Sequence, residues 1–172
     1  MRAPDPLANP QPLIERVYSY VAYRVGDGVH AEDITSEVFE RALRYRKRYD
    51  ERRGSPISWL IGIARRAIVD HLSSEHAHSG DVPELSVPNV FEDQIASRLE
   101  LRAAVRELPE RDQEFIALRF GADLTATQIA RILGLRTNTV EVALHRALAS
   151  LRRALEATER DEVLGAPLRQ VV

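Results

Sequence analysis

Residues 125–155, TATQIARILGLRTNTVEVALHRALASLRRAL, admit few folds other than two helices meeting at a tight turn. Thr125 and Gln128 form a capping box, in which the hydroxyl and the amide each satisfy a backbone N–H that the first helical turn leaves open. A helix therefore starts there. Ile129, Ile132 and Leu133 give it an apolar stripe, Gly134 supplies the left-handed backbone that ends a helix, and Leu135 follows as an apolar plug. Thr137 caps a second helix on which Val140, Leu144, Leu148, Leu151 and Leu155 recur every three or four positions, turning Asn138, Thr139, Glu141, Val142, His145 and Arg146 outward. This is a helix-turn-helix pattern with a polar outer face. Helix pairs with a Gly turn also occur in bundles that touch no nucleic acid, so charge has to discriminate. Between Arg131 and Arg153, five arginines (Arg131, Arg136, Arg146, Arg152, Arg153) stand against one acid, Glu141. That is the footprint of a surface that neutralises phosphates.

The clustering matters because the whole chain is not basic. Lys and Arg total 24 against 26 Asp and Glu, a net charge of −2, so any nucleic-acid surface arises from placement rather than abundance. At 172 residues and 44% hydrophobic content the chain suits one ordinary domain or two small ones. The absence of cysteine excludes a disulfide framework, a thiolate zinc site and a cysteine nucleophile, and fits a reducing compartment. No apolar run approaches the ~20 residues that span a bilayer, and MRAPDPLANPQP lacks the apolar segment of a signal peptide. The expectation is a cytoplasmic protein with no membrane partner.

Residues 1–11 are expected to be a frayed leader rich in proline. From Pro12 a helix carries Leu13, Val17, Tyr20 and Val21 on one face and ends at Gly26-Asp27-Gly28. A second helix opens near Ala31, with Ile34, Val38, Ala42 and Tyr45 as its stripe and Asp33, Glu37, Glu40 and Arg44 along another face. In RYRKRYDERRGSP, from Arg44 to Pro56, basic residues alternate with Tyr45 and Tyr49. This suits single-stranded nucleic acid, with guanidinium groups tracking the backbone and bases lying on rings, and equally suits a core that has drawn in both tyrosines. Ser55 then caps and Pro56 opens a helix running to about Ser73, apolar at Ile57, Trp59, Leu60, Ile61, Ile63, Ala64, Ala67, Ile68 and Leu72, with Arg65 and Arg66 as exceptions. Residues 74–90 lose periodicity and read as a flexible, net negative linker; His76 and His78 within it have no third ligand and make no metal site. Beyond it, helices are expected over Phe91–Leu108 and from Pro109 to Gly121, completing a four-helix domain with the helix-turn-helix and leaving a loosely held tail from Thr158. The fold class is all-α: two small helical domains, 12–73 and 91–157, joined by a flexible linker.

In this order, three stretches resemble bacterial RNA polymerase sigma factors of the sigma-70 superfamily, extracytoplasmic-function type. AEDITSEVFERAL (Ala31 to Leu43) and RGSPISWLIGIARRAIVDHL (Arg53 to Leu72) are similar to region 2. LPERDQEFIALRF (Leu108 to Phe120) with TQIARILGLRTNTVEVALHRAL is similar to region 4. The resemblance covers nearly everything but leader, linker and tail. It implies a specificity subunit with no catalytic site, cofactor or metal, which binds core RNA polymerase through the β′ coiled coil and the β flap and is held by an anti-sigma protein.

Carried over residue by residue, the resemblance assigns polymerase binding to Asp33, Thr35, Ser36, Glu37, Phe39 and Glu40, whose carboxylates suit charge-assisted pairing with a basic partner helix. It assigns single-stranded −10 DNA to Arg46, Lys47, Arg48, Tyr49, Arg52, Arg53, Ser55, Trp59, Arg65 and Arg66, where a pocket for an extruded base offsets the cost of unstacking. It assigns the double-stranded −35 element to Thr127, Arg136, Thr137, Asn138, Thr139, Glu141, Val142, His145 and Arg146. Two departures stand out. Arg66 replaces an Asn frequent in relatives, and lacks the donor-plus-acceptor edge of an amide. Glu141 and Ala143 replace basic residues, which predicts a weak or unusual −35 contact. The rival expectation is a helix-turn-helix regulator acting without polymerase; an enzyme on nucleic acid lacks its carboxylate pairs and phosphate loop here.

Overall fold

The computed structural model describes residues 5–77 and 92–165, and every regular element among them is helical. The first domain comprises α1 (Pro10–Val25), α2 (Val29–Tyr45), a single 3₁₀ turn (Arg46–Arg48) and α3 (Pro56–Ala77). The second comprises α4 (Glu92–Arg106), α5 (Glu110–Ile116), a π turn (Ala117–Gly121), α6 (Ala126–Leu133) and α7 (Thr137–Gly165). The two-domain all-helical organisation is as read from the sequence. Of the leader, linker and tail, residues 1–4, 78–91 and 166–172 lie outside the described residues, and His78 with them.

Local signals set the element boundaries. In the capping box the Gln128 N–H donates to Thr125 Oγ1 at 3.2 Å, and the Thr125 N–H donates to Gln128 Oε1 at 2.9 Å. Gly134 closes α6 at φ 66°, and the Leu135 N–H returns to the Ala130 carbonyl at 2.9 Å. At α3 the Ser58 N–H reaches Ser55 Oγ at 3.4 Å and Pro56 takes the first helical position. Some bounds differ from expectation. α3 runs through the start of the predicted linker to Ala77, and α7 runs through the predicted tail to Gly165, because neither Ser74–Ala77 nor Thr158–Leu164 contains a helix breaker.

The core is one continuous cluster rather than two. It runs from Val17, Tyr20 and Val21 of α1 through Leu60, Ile61 and Ile68 of α3 to Phe115, Ile116, Leu118, Ile129 and Val140 of the second domain. α1 is its axis, packing against α2 and α3 on one side and against α4, α5 and the π turn on the other. That double duty explains why Ala22 and Tyr23 are buried in addition to the predicted stripe. The stripe of α7 also needs correction: Leu148 is 41% exposed and Ala147 is fully buried in its place. Positions 140, 144, 147 and 151 follow the 3.6-residue period more closely, and the small side chain fits where the helices approach. Tyr45, assigned to the α2 stripe, is likewise exposed.

Candidate nucleic-acid and polymerase interfaces

Helix α7 is held from behind and open in front. Val140, Leu144, Ala147 and Leu151 bury its inner face, while Asn138, Thr139, Glu141, Val142, His145 and Arg146 are exposed; Thr127 and Arg136 are exposed beside them, and Thr137 is half-buried at the cap. Eight of the nine expected −35 residues are thus accessible to solvent. A shallow depression there is completed by two residues that sequence reasoning passed over, Arg111 and Asp112 of α5, which line it together with Asn138, Thr139, Val142 and Arg146. The Arg111 guanidinium lies 5.8 Å over the Phe115 ring, which holds it in place. Arg111 adds a cation beside Ala143, where α7 supplies none. Its helical phase alone marks it as outward, and nothing in the local pattern links it to a helix almost thirty positions on.

In the first domain, Arg46, Lys47, Arg48, Arg52 and Arg53 are all exposed around the loop, and Ser55 is half-buried. Tyr49 donates to the Gly54 carbonyl at 3.0 Å and packs on Trp59 with ring centroids 5.4 Å apart. Burial raises the Tyr49 phenol above its ordinary value, aided by Glu51 and Asp50, so it stays a donor. The two readings of the tyrosines therefore divide. Tyr45 is a surface ring under Arg48, whose guanidinium is 5.1 Å from its centroid, whereas Tyr49 is the half-buried strut of the loop. Tyr49→Phe should loosen residues 50–54 by about 1 kcal/mol, the usual net value of one hydrogen bond. Faster amide exchange at Gly54 without loss of α3 protection is the expected reading.

Along α2, Asp33, Ser36 and Glu40 are exposed, and Glu37 and Phe39 are half-buried. Thr35 does not join them. It is 6% exposed and its hydroxyl donates to the Ala31 carbonyl at 2.6 Å, so it belongs to the packing of α2 rather than to a docking face. Glu37 is partly neutralised by Arg41, which also pairs with Asp70 at 3.1 Å. The carboxylates open to a partner are thus chiefly Asp33 and Glu40.

The adjacent arginines of α3 part company. Arg66 is exposed, whereas Arg65 Nε donates to Glu114 Oε1 of the second domain at 2.9 Å. Glu114 gathers two further groups of α1: the Tyr20 hydroxyl donates to it at 3.1 Å, and Arg24 Nε lies 3.4 Å away. Burial, then the Glu114 charge, pushes the Tyr20 phenol well above its ordinary value, so the hydroxyl remains a donor throughout the physiological range. Nearby, Arg16 donates to the carbonyls of Ala122 and Asp123, each at 2.8 Å. Arg102 of α4, itself 6% exposed, pairs with Asp27 in the α1–α2 turn. None of this clasp was visible in the sequence.

Among the described residues no helix is long and apolar enough to cross a membrane, and no group of three or more His, Asp or Glu is placed to hold a metal ion. Two family descriptions match: Sigma-70 region 2 over residues 11–77 and Sigma-70, region 4 over residues 98–151. The chain is 34% identical over 149 residues to the ECF RNA polymerase sigma factor BldN of Streptomyces coelicolor, covering 82% of this chain but 56% of that protein. It is 28% identical over 152 residues to the ECF RNA polymerase sigma factor SigK of Mycobacterium ulcerans, covering 83% and 81%. Among solved structures, the fold is similar to RpoE of Bartonella quintana in complex with the anti-sigma factor NepR, with a TM-score of 0.68, 14% identity, and 84% and 92% coverage. It is also similar to CnrH in complex with the cytosolic domain of CnrY, with a TM-score of 0.58, 21% identity, and 86% and 82% coverage. The relatives it matches bear the name ECF RNA polymerase sigma factor, and with Sigma-70 region 2 over its first domain and region 4 over its second, the chain itself belongs to the sigma-70 family.

Proposed function

We propose that the chain binds core RNA polymerase through Asp33, Ser36 and Glu40 of α2, and directs initiation at a restricted set of promoters. The β′ coiled coil and the β flap are the polymerase elements such a subunit engages. In this reading α7 reads a −35 duplex through the major groove, with Arg136, His145 and Arg146 as donors and Arg111 as a flanking phosphate contact. The loop 46–55 with Trp59 and Arg66 captures the melted −10 strand. The observation that carries it is the pairing, in one chain, of an exposed polar recognition helix with an exposed basic loop braced on an aromatic pair. Glu141 is exposed on the reading face; there it repels phosphates and accepts from a cytosine amino group, which favours placement over tight −35 binding. The chain acts as a specificity subunit and catalyses nothing itself. By likeness to RpoE with NepR, an anti-sigma protein is its negative regulator.

Sigma-free core polymerase mixed with the protein and a promoter library tests this directly. New start sites and comigration with core are expected; duplex binding that needs no polymerase and yields no transcripts would establish the regulator reading instead. Within the assay, Arg146→Ala should weaken −35 duplex binding about tenfold, the worth of one base or phosphate contact of 1–3 kcal/mol, with comigration unchanged. Asp33→Ala should do the reverse. Loss of the same activity in both variants would overturn the division of labour.

A further inference from the structure

One apolar side chain on the polar face of α7 has no task in the contacts proposed above. Val142 is 47% exposed, yet it lies within the depression between α5 and α7 rather than on open surface. Asn138 lines the same depression one helical turn earlier, and side chains four positions apart stand next to each other on a helix. Among the described residues the Asn138 amide makes no hydrogen bond within the chain, so its carbonyl and its NH2 both remain available to a ligand. Arg111 and Arg146, which also line the depression, are exposed, whereas Asp112 is half-buried. A phosphate entering it would meet the Asp112 carboxylate, one anion facing another with no donor between them. The backbone of a nucleic acid is therefore left to the exposed arginines, and the interior of the depression suits a base edge.

We infer that this depression reads an A·T base pair in the major groove, with Asn138 bonding the adenine edge and Val142 covering the thymine methyl group. The inference rests on the −35 role proposed for α7. An amide offers one donor and one acceptor side by side, which matches adenine N6–H2 and N7. Guanine presents two acceptors there, O6 and N7, and leaves the amide oxygen opposed by another oxygen. Of the four bases only thymine carries a C5-methyl group, and an apolar side chain gains by excluding water from it. A G·C pair in the same place would leave Val142 wet and the amide mismatched. With Glu141 and Ala143 on the same helix segment, base selectivity here comes from a neutral amide and a methyl contact. Such selectivity persists at salt concentrations that weaken phosphate contacts.

Duplexes selected from a randomised pool by the full-length chain, with and without core polymerase, provide the test. The selected element should require an A·T pair at one position. Replacing its thymine by deoxyuridine, which removes only the methyl group, should weaken binding about fourfold, the worth of one buried methyl. Replacing its adenine by 7-deazaadenine, which removes only the N7 acceptor, should weaken binding about fivefold, the worth of one hydrogen bond. Val142→Ala should lose most of the thymine–uracil difference and keep the adenine one; Asn138→Ala should do the opposite. Both positions are exposed, so helix content and melting should stay as in the parent. Both ratios should hold from low to high salt, since neither group touches a phosphate. A methyl effect of equal size in Val142→Ala would place the methyl elsewhere and overturn the assignment. So would a selected element indifferent to A·T, or the absence of any selectable duplex in both conditions. Duplexes that show both base effects without core, and no initiation with it, would count against the sigma reading alone and leave the base assignment standing.

Discussion

Asp27→Ala should weaken the docking of α4 onto α1 by about 3 kcal/mol, the low end of the cost of leaving one partner of a buried pair unmatched. The low end applies because the Asp27 side chain is 18% exposed while that of Arg102 is 7% exposed. Arg102 would keep the Ser19 hydroxyl at 3.3 Å and the face of Tyr23, 5.2 Å from the ring centroid, but neither carries charge. A guanidinium without its carboxylate finds water only if α4 lifts from the α1–α2 turn. Calorimetry should accordingly show the parent's single transition separating into two. Asp27→Ala combined with Arg102→Leu should recover most of the loss, since a buried pair replaced by apolar groups is close to neutral. An unchanged single transition in Asp27→Ala would mean that the pair carries none of the docking energy.

The contrast between this pair and the helix-turn-helix defines what the sequence could disclose. Thr125 and Gln128 are three positions apart, and Gly134 ends the helix they begin, so their geometry follows from local stereochemistry. The same holds for Ser55 with Pro56 and for the stripes at Val17, Tyr20 and Val21 or Ile34 and Val38. By contrast Arg16 meets its carbonyls 106 and 107 positions away and Arg24 meets Glu110 86 positions away. Each of those arginines sits on a helix face that periodicity assigns to solvent, and its partner lies on another domain's surface. Region 2 and region 4 were legible as sequences; their mutual packing was not, because its apolar part uses stripes that each domain's own core already accounts for and its polar part matches ordinary exposed surface. Two local errors have local causes. Leu148 fits the apolar pattern by its side chain whereas Ala147 has the phase that faces the core, and Thr35 shares the sequence spacing of the acidic face although its hydroxyl back-bonds within α2. At the expected −35 surface the omission was Arg111, brought to the recognition helix by the packing of α5 on α7.

That packing puts Phe115 behind the proposed −35 face. Phe115 is 1% exposed and Phe120, five positions on, is 49% exposed. Five positions on an α-helix already turn the two about 140° apart; the π turn, closed by the Ala122 N–H on the Ala117 carbonyl at 2.9 Å, widens the helix just after Ile116 without returning Phe120 to the core. Phe115→Ala should therefore cost about 3–5 kcal/mol, the range for emptying an aromatic site in a close-packed core. Phe120→Ala should stay within about 0.5 kcal/mol. The consequences reach the nucleic acid. Phe115 supports α7 from behind and positions the Arg111 guanidinium above its ring, so its truncation should reduce −35 duplex binding at temperatures where the chain is still folded. Phe120→Ala should leave duplex binding alone. Urea denaturation and duplex titration of the two variants side by side separate support from contact: equal losses would place Phe120 in the core, and a Phe115 variant that melts early yet binds duplex normally would detach the reading face from α5.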